Sequence, residues 1–233
     1  MPSDNAQTHK PTADPSALLK DHILFFPILV VVAALWYAYR WLFAFPTWFD
    51  ETLGKAVFFG LPVWIYIVVS KQKKLLDPLR LSQLQKGMLL GLALGGVYGF
   101  VTSTMSLLQS GGVVESAQLF QSSQFWYEFM LAIFTGFWET LFFYCFVAGV
   151  VLEKFKKSPL IWQMLLIVGI FLVFHLPNTI LRFDPNQVFS QIFILSLFAL
   201  GQALVYYRWR NAYALTLSHA LWGLVLLFHG AGL

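Results

Sequence analysis

The stretch 125–152 constrains the fold more than any other part of the chain, because its sequence is almost uninterruptedly apolar and aromatic. About 20 apolar residues in a helix span the hydrocarbon core of a bilayer, so this stretch predicts a transmembrane helix. Glu139 lies in the middle of it. A carboxylate at that depth is costly unless it faces protein or water, and a function is therefore its default explanation.

The whole chain is more apolar than a soluble domain, with 58% hydrophobic and 11% charged residues. Soluble domains carry about 25% charged residues, so this composition is typical of a polytopic membrane protein. We predict an all-α fold of about seven transmembrane helices that lies in the lipid bilayer. The apolar stretches that predict these helices are 22–39, 52–70, 84–107, 125–152, 160–181, 188–207 and 211–229. In the third stretch, Gly87, Gly91, Gly95 and Gly99 have the spacing of a close helix–helix contact.

The connections between the stretches predict the orientation. Basic residues follow the second, fourth and sixth stretches, whereas the alternate connections carry only Arg40 and Lys55, then none, then Arg182. The positive-inside rule then places the N-terminus in the cytoplasm and the C-terminus outside. Residues 1–20 are polar and rich in proline, without a signal peptide, and predict a disordered cytoplasmic tail. Residues 21–124 would form three transmembrane helices, and residues 125–233 the four that carry the candidate site.

Three ionisable residues lie deep in the last four stretches, namely Glu139, His175 and His219. Each alone could be a structural hydrogen-bonding residue between helices. Because each lies on a different predicted helix, we expect the three helices to pack around one polar site. Carboxylate and imidazole groups about 3–6 Å apart could share a water and activate it.

Other classes of function receive less support from the sequence. The net charge of +4 needs no nucleic acid to explain it, because most basic residues lie in short connections. Cys145 is the single cysteine, which excludes an intrachain disulfide and a cysteine-rich metal site. We interpret it as a buried, inert thiol, with a cysteine–histidine peptidase as the alternative. A transporter is disfavoured, because no inverted repeat or broken helix is evident.

Three short motifs resemble those of the CPBP intramembrane proteases, the family that includes the type II CAAX prenyl endopeptidases. Members carry EExxxR on one span, FxxxH on the next and HxxxN on a later one. The corresponding segments here are ETLFFY at 139–144, FLVFH at 171–175 and HALWG at 219–223. The resemblance extends over residues from about 125 to 227, so that 125–233 would be a CPBP-like catalytic core.

The resemblance implies a glutamate-dependent intramembrane endopeptidase. Glu139 would act as general base, His175 would help to hold the attacking water, and His219 would stabilise the oxyanion. The implied substrate is a peptide or a membrane-protein segment, and the implied location is a bacterial inner membrane. We expect no metal cofactor; if zinc were bound, the same three residues would be its ligands.

The first motif departs from the family pattern at two positions. Thr140 replaces the second glutamate and Tyr144 replaces the arginine. These positions lie on one helix face, where the family would have an ion pair. Replacing both the glutamate and the arginine leaves no unpaired buried charge, so Thr140 and Tyr144 form a neutral substitute for the ion pair.

The last motif departs at Gly223, which replaces the asparagine. Losing one oxyanion donor typically lowers the rate by about 10²–10³-fold. Asn178 or, less suitably, Trp222 could donate instead, although Asn178 is more simply explained as a cap at Pro177. These departures favour an alternative function, a weakened or inactive relative that acts as a membrane scaffold or binds a membrane-protein partner.

Overall fold

The computed structural model describes residues 23–110 and 124–230, without the side chains of 102, 103, 105–110 and 225–230. All regular elements in this part of the chain are helical, and it contains no β-strand. The tail predicted at 1–20 lies outside the described residues. The helices are α1, Phe25–Leu42; α2, Thr47–Ser70; α3, Leu84–Ser110; α4, Phe125–Lys154; α5, Leu160–Arg182; α6, Pro185–Trp209; and α7, Ala212–Gly230.

Six helical segments in the described residues are long and apolar enough to cross a membrane. They are α1, α2, Lys73–Val101 (two short 3₁₀ turns and most of α3), α4, α5 and α6. The predicted class, a polytopic helical membrane protein, is therefore confirmed. The stretch predicted as a seventh span forms α7, a helix of 19 residues, and its membrane crossing stays a prediction.

The ends of several helices follow from local sequence. Pro159 immediately precedes α5, and Pro185 is the first residue of α6. Proline suits these places because its fixed φ is compatible with a helical start, where its missing N–H would have no partner. At the other end, α2 and α6 are followed by Lys71 and Arg210 in the left-handed conformation, with φ of 59° and 44°. A left-handed residue ends a helix because it reverses the backbone direction.

Helix α4 lies at the centre of the bundle, and every residue from 139 to 152 is buried. Its aromatic side chains Phe142, Phe143 and Phe146 pack against α1, α2 and α5, for example against Phe25, Phe59 and Phe171. A helix surrounded by protein is apolar on all faces, which explains the continuous apolar sequence. The resulting hydrophobic core includes residues from both sides of the predicted boundary at 124/125.

The glycine stripe of α3 lies against α7, as its spacing predicts. A Cβ atom at Gly91 would lie 2.9 Å from the backbone oxygen of Ala214, and one at Gly95 would overlap the side chain of Leu221. Gly87 faces Asn211 at the start of α7 in the same way. Side chains at these positions would push the two helices apart, so the glycines permit their close approach.

The position of Lys55 differs from its sequence interpretation. Its place in the sequence predicts a connection between helices, but it lies inside α2 and is only 4% exposed. The helix begins at Thr47 rather than at 52, so that Asp50 and Glu51 belong to the same helix as Lys55. Asp50 is buried because it accepts hydrogen bonds from Tyr39 and Arg40 of α1, both at 2.5 Å.

Candidate active site

The helices that carry the candidate site depart from α-helical geometry around it. Glu139 is the last residue of the α-helical first part of α4, and the π-helical segment Thr140–Ala148 follows. In α2, the π-helical segments Asp50–Gly54 and Ala56–Gly60 lie on either side of Lys55. π-helical turns inside longer helices are frequent at functional sites.

The three predicted residues converge on one place in the bundle. The Oε2 atom of Glu139 lies 3.2 Å from Nε2 of His175 and 3.3 Å from Nε2 of His219. These contacts are direct, at the short end of the predicted range, rather than separated by a water. Glu139 is 4% exposed and His219 is 7% exposed, whereas the side chain of His175 is 17% exposed and is the most accessible of the three.

Two charged residues complete the cluster, and the sequence interpretation missed both. The ammonium of Lys55 donates to Oε1 of Glu139 at 2.6 Å, and it lies 2.5 Å from Oε2 of Glu51. The same Glu51 oxygen accepts a hydrogen bond of 2.6 Å from Thr135 of α4. The only sequence signal was the four-residue spacing of Glu51 and Lys55, which places them on one helix face.

His175 is held by the backbone and aromatic rings around it. Its Nδ1 atom lies 2.9 Å from the carbonyl oxygen of Phe171, and its ring stacks on the Phe171 ring with centroids 3.8 Å apart. Because a carbonyl can only accept, Nδ1 carries the proton. The neutral ring would then present a lone pair to Glu139, so their contact is a hydrogen bond only when one more proton lies between them. This pair can therefore hold and exchange a proton.

Helix α1 fixes the turn of α5 that carries His175. Pro177 has no N–H to donate to the carbonyl of Val173, which lies four residues earlier. The hydroxyl of Tyr37 donates to that oxygen at 2.8 Å instead. Trp36 donates to the neighbouring carbonyl of Phe174 at 2.9 Å. Helix α5 consequently continues through Pro177 to Arg182.

His219 is positioned by the close contact of α7 with α4 and α6. A Cβ atom at Gly136 would lie 2.7 Å from the carbonyl oxygen of Thr216 and 3.4 Å from Cβ of His219. From α6, Phe198 packs edge-on against the His219 ring with centroids 4.9 Å apart. The Nδ1 atom of His219 is buried and has no hydrogen-bonding partner among the described residues.

The supporting residues predicted from sequence lie near the cluster in the chain but do not bond to Glu139 in the described part of the protein. Trp222 stacks on Phe198, with centroids 5.0 Å apart. Asn178 does not end a helix at Pro177, because α5 continues, and its buried Oδ1 lacks a partner among the described residues. The hydroxyls of Thr140 and Tyr144 are likewise buried without such a partner. They are therefore not bonded to each other.

Two other features bear on the chemistry. Cys145 is a free, fully buried thiol within the hydrophobic core. Within residues 23–110 and 124–230, no group of three His, Cys, Asp or Glu side chains is arranged to hold a metal ion. The positive charge of Lys55 beside Glu139 would also repel a divalent cation at that carboxylate.

The fold and the cluster together define a class, that of helical membrane proteins with a buried glutamate–histidine site. Residues 121–225 match the family model described as Type II CAAX prenyl endopeptidase Rce1-like. The resemblance drawn from the three motifs is thereby confirmed for this part of the chain. The matched region contains Glu139, His175 and His219 but not Lys55 or Glu51. Searches of curated proteins and of solved structures gave no significant match.

Proposed function

We propose that this protein is an intramembrane endopeptidase that cleaves a peptide or a membrane-protein segment with water activated by Glu139. The observation that carries the proposal is the convergence of Glu139 with His175 and His219, from three different helices, in a buried part of the bundle. Buried ionisable groups are costly in a membrane protein and are retained where they serve a function. The match to an endopeptidase family supports the same conclusion.

Glu139 acts as the general base in this mechanism. A carboxylate offers about four acceptor positions, and Lys55, His175 and His219 approach Glu139 from three sides. A water can take the remaining position and give its proton to the carboxylate as its oxygen attacks the peptide carbonyl carbon. His175 shares a proton with Glu139 and can pass one to the departing amine, so that the peptide bond breaks with protons conserved.

His219 stabilises the negative charge that develops on the carbonyl oxygen. Its Nε2 atom lies 3.3 Å from Oε2 of Glu139, the oxygen proposed to activate the water, and a ring N–H there can donate to an oxyanion. Gly223 provides no side-chain donor one turn later, so His219 carries this task largely alone. We expect Asn178 to contribute only if its amide turns toward the site.

We further propose that the reaction needs no metal ion. The ammonium of Lys55 already supplies positive charge at the carboxylate and would repel a divalent cation there. Activity should accordingly persist in the presence of a strong chelator. The proposed setting is a bacterial inner membrane, with the N-terminus in the cytoplasm and the C-terminus outside.

The experiment that tests the function is a comparison of newly formed peptide termini in membranes from cells that express the wild type, Glu139→Gln or Glu128→Gln. Glu128 lies at the start of α4, away from the cluster, and provides a matched control. We expect a set of cleavage products in the wild type and Glu128→Gln that is missing in Glu139→Gln. Identical termini in all three membranes would contradict the proposal and favour the membrane scaffold.

A further inference from the structure

We infer that Lys55, supported by Glu51, is a positioning residue of the catalytic site, which holds one oxygen of Glu139 so that the other faces the histidines. The inference rests on the proposed function, which it extends to a helix outside the region matched by the family. It assigns α2 a part in the reaction. Glu51 and Lys55 do not contact the attacking water in this account; they act through Glu139.

The contacts divide the two oxygens of Glu139 between different partners. Oε1 accepts from Lys55 at 2.6 Å, whereas Oε2 lies 3.2 Å from His175 and 3.3 Å from His219. A carboxylate free to rotate would exchange its oxygens between these environments. The bond to Lys55 removes that freedom, so that Oε2 is the oxygen left to act as base. Orientation of this kind contributes to catalysis because the reacting groups are placed before the reaction begins.

Glu51 keeps Lys55 charged and in place. The ammonium lies between two carboxylates, at 2.5 Å from Glu51 and 2.6 Å from Glu139, and the Lys55 side chain is 6% exposed. A buried charge without partners costs several kcal/mol, by order of magnitude. Thr135 bonds to the Glu51 oxygen at 2.6 Å and joins α2 to α4 at this point. The ion pair thus belongs to a hydrogen-bonded chain that ends at Glu139.

The rest of the site offers no substitute for this cation. Thr140 and Tyr144 are uncharged, and among the described residues Lys55 is the one lysine or arginine in contact with Glu139. Glu51 and Lys55 are four residues apart, the same spacing as the replaced positions 140 and 144. The ion pair of α2 thus supplies a cation at Glu139, whereas the two positions of the first motif, 140 and 144, are uncharged.

The packing of α2 leaves Lys55 little freedom to move. Gly60 lies under the ring of Trp138, the residue before Glu139, where a Cβ atom would come within 2.6 Å of the indole. Gly54, next to Lys55, lies close to Tyr39 of α1, with a distance of 3.2 Å from its Cβ position to the hydroxyl. Both glycines bring α2 close to its neighbours. This packing holds the backbone of α2 in place on either side of Lys55.

The test compares the kinetics of purified Lys55→Met with the wild type, using a peptide identified from the termini comparison. We expect kcat to fall by about 10²-fold with KM changed less than about threefold, because the misplaced base slows the reaction without altering substrate binding. Lys55→Arg, which keeps the positive charge, should recover part of the lost kcat. Lys86→Met, on the exposed surface of α3, should match the wild type.

A second variant separates positioning from folding. Glu51→Gln/Lys55→Met removes the charge that Lys55→Met alone would strand on Glu51, and it should accumulate even if the single variant does not. Its kcat should remain low if Lys55 positions Glu139. A kcat restored to the wild-type value, or failure of both variants to accumulate, would overturn the inference. An active Lys55→Met beside an inactive Glu139→Gln would overturn it and leave the proposed function intact.

Discussion

Gly223 is the residue at which the candidate site departs most clearly from the family pattern. It lies one turn after His219 on α7, where related motifs have an asparagine. A Cβ atom at Gly223 would meet no other atom within 4 Å. The structure therefore has room for a side chain at this position, and an amide there would lie on the same helix face as His219.

We expect Gly223→Asn to increase kcat, by up to about 10²-fold, because it would restore a hydrogen-bond donor for the oxyanion. The measurement is the cleavage rate of the purified variant at saturating substrate. Gly223→Ala provides the control, since it adds a Cβ atom without an amide. An equal increase in both variants would show that helix stabilisation rather than oxyanion binding is responsible.

The sequence predicted the core of the site but not its cation. Glu139, His175 and His219 stood out because ionisable residues deep in apolar stretches are unusual. Lys55 and Glu51 lie near the start of a stretch, where polar residues are ordinary and suggest a connection. Only the three-dimensional contacts, of Lys55 with Glu139 and of Glu51 with Lys55, distinguish them from solvated charges. The hydrogen bonds from α1 to the turn before His175 were hidden for the same reason.

At the scale of the helices, the contact between α4 and α7 sets the separation of Glu139 and His219. Gly136 is buried one turn before Glu139, and the backbone of α7 at Thr216 passes directly over it. Any Cβ atom at this position would lie 2.7 Å from a backbone oxygen, which cannot move without the helix. The small residue is therefore required for the side chains of Glu139 and His219 to meet.

Gly136→Ala should consequently displace α7 and, with it, His219. We expect a loss of stability of about 1–3 kcal/mol, as is typical of overpacking, and a decrease in kcat of about 10²-fold. Thermal unfolding and cleavage rates of the purified variant provide the measurements. Gly96→Ala on α3 is the control, because a Cβ there meets nothing within 4 Å. Wild-type kcat in Gly136→Ala would contradict this account of the helix contact.

Helix positions were largely predictable, whereas helix geometry was not. The long apolar stretches predicted the ends of α3 to α7 closely. A helix in a membrane contacts lipid or other helices along its whole length, and its sequence is therefore apolar from end to end. The start of α2 at Thr47 was missed, since Asp50 and Glu51 interrupt the apolar pattern before residue 52. The π-helical segment of α4 was not predicted either. A helix that is apolar on every face has no amphipathic period from which its turn size could be determined.

The whole molecule depends on contacts between the family-matched region and the helices before it. Helix α1 donates a hydrogen bond to α5, α2 supplies the lysine that pairs with Glu139, and α3 packs along α7. The hydrophobic core runs through all of these contacts without a division at residue 124. The arrangement of the site thus requires α1 to α3, although their sequences show no family motif.

The orientation of the molecule can be tested with cysteines placed in exposed connections. Cys145 is fully buried, so the wild type should react little. From the positive-inside prediction, a membrane-impermeant maleimide added to intact cells should label Asp184→Cys and not Lys156→Cys. Both positions are exposed, and both should react after permeabilisation. The reverse pattern in intact cells would contradict the predicted orientation.

The central claim, that Glu139 activates water for peptide hydrolysis, is tested most directly by reconstituting the purified protein in liposomes. Cleavage of an identified substrate peptide would be followed in H₂¹⁸O for the wild type, Glu139→Gln and Glu128→Gln. We predict that the wild type and Glu128→Gln place ¹⁸O in the new carboxylate. Glu139→Gln should be about 10²–10⁴-fold slower. Equal rates for the wild type and Glu139→Gln, or no cleavage by any of the three, would contradict the account.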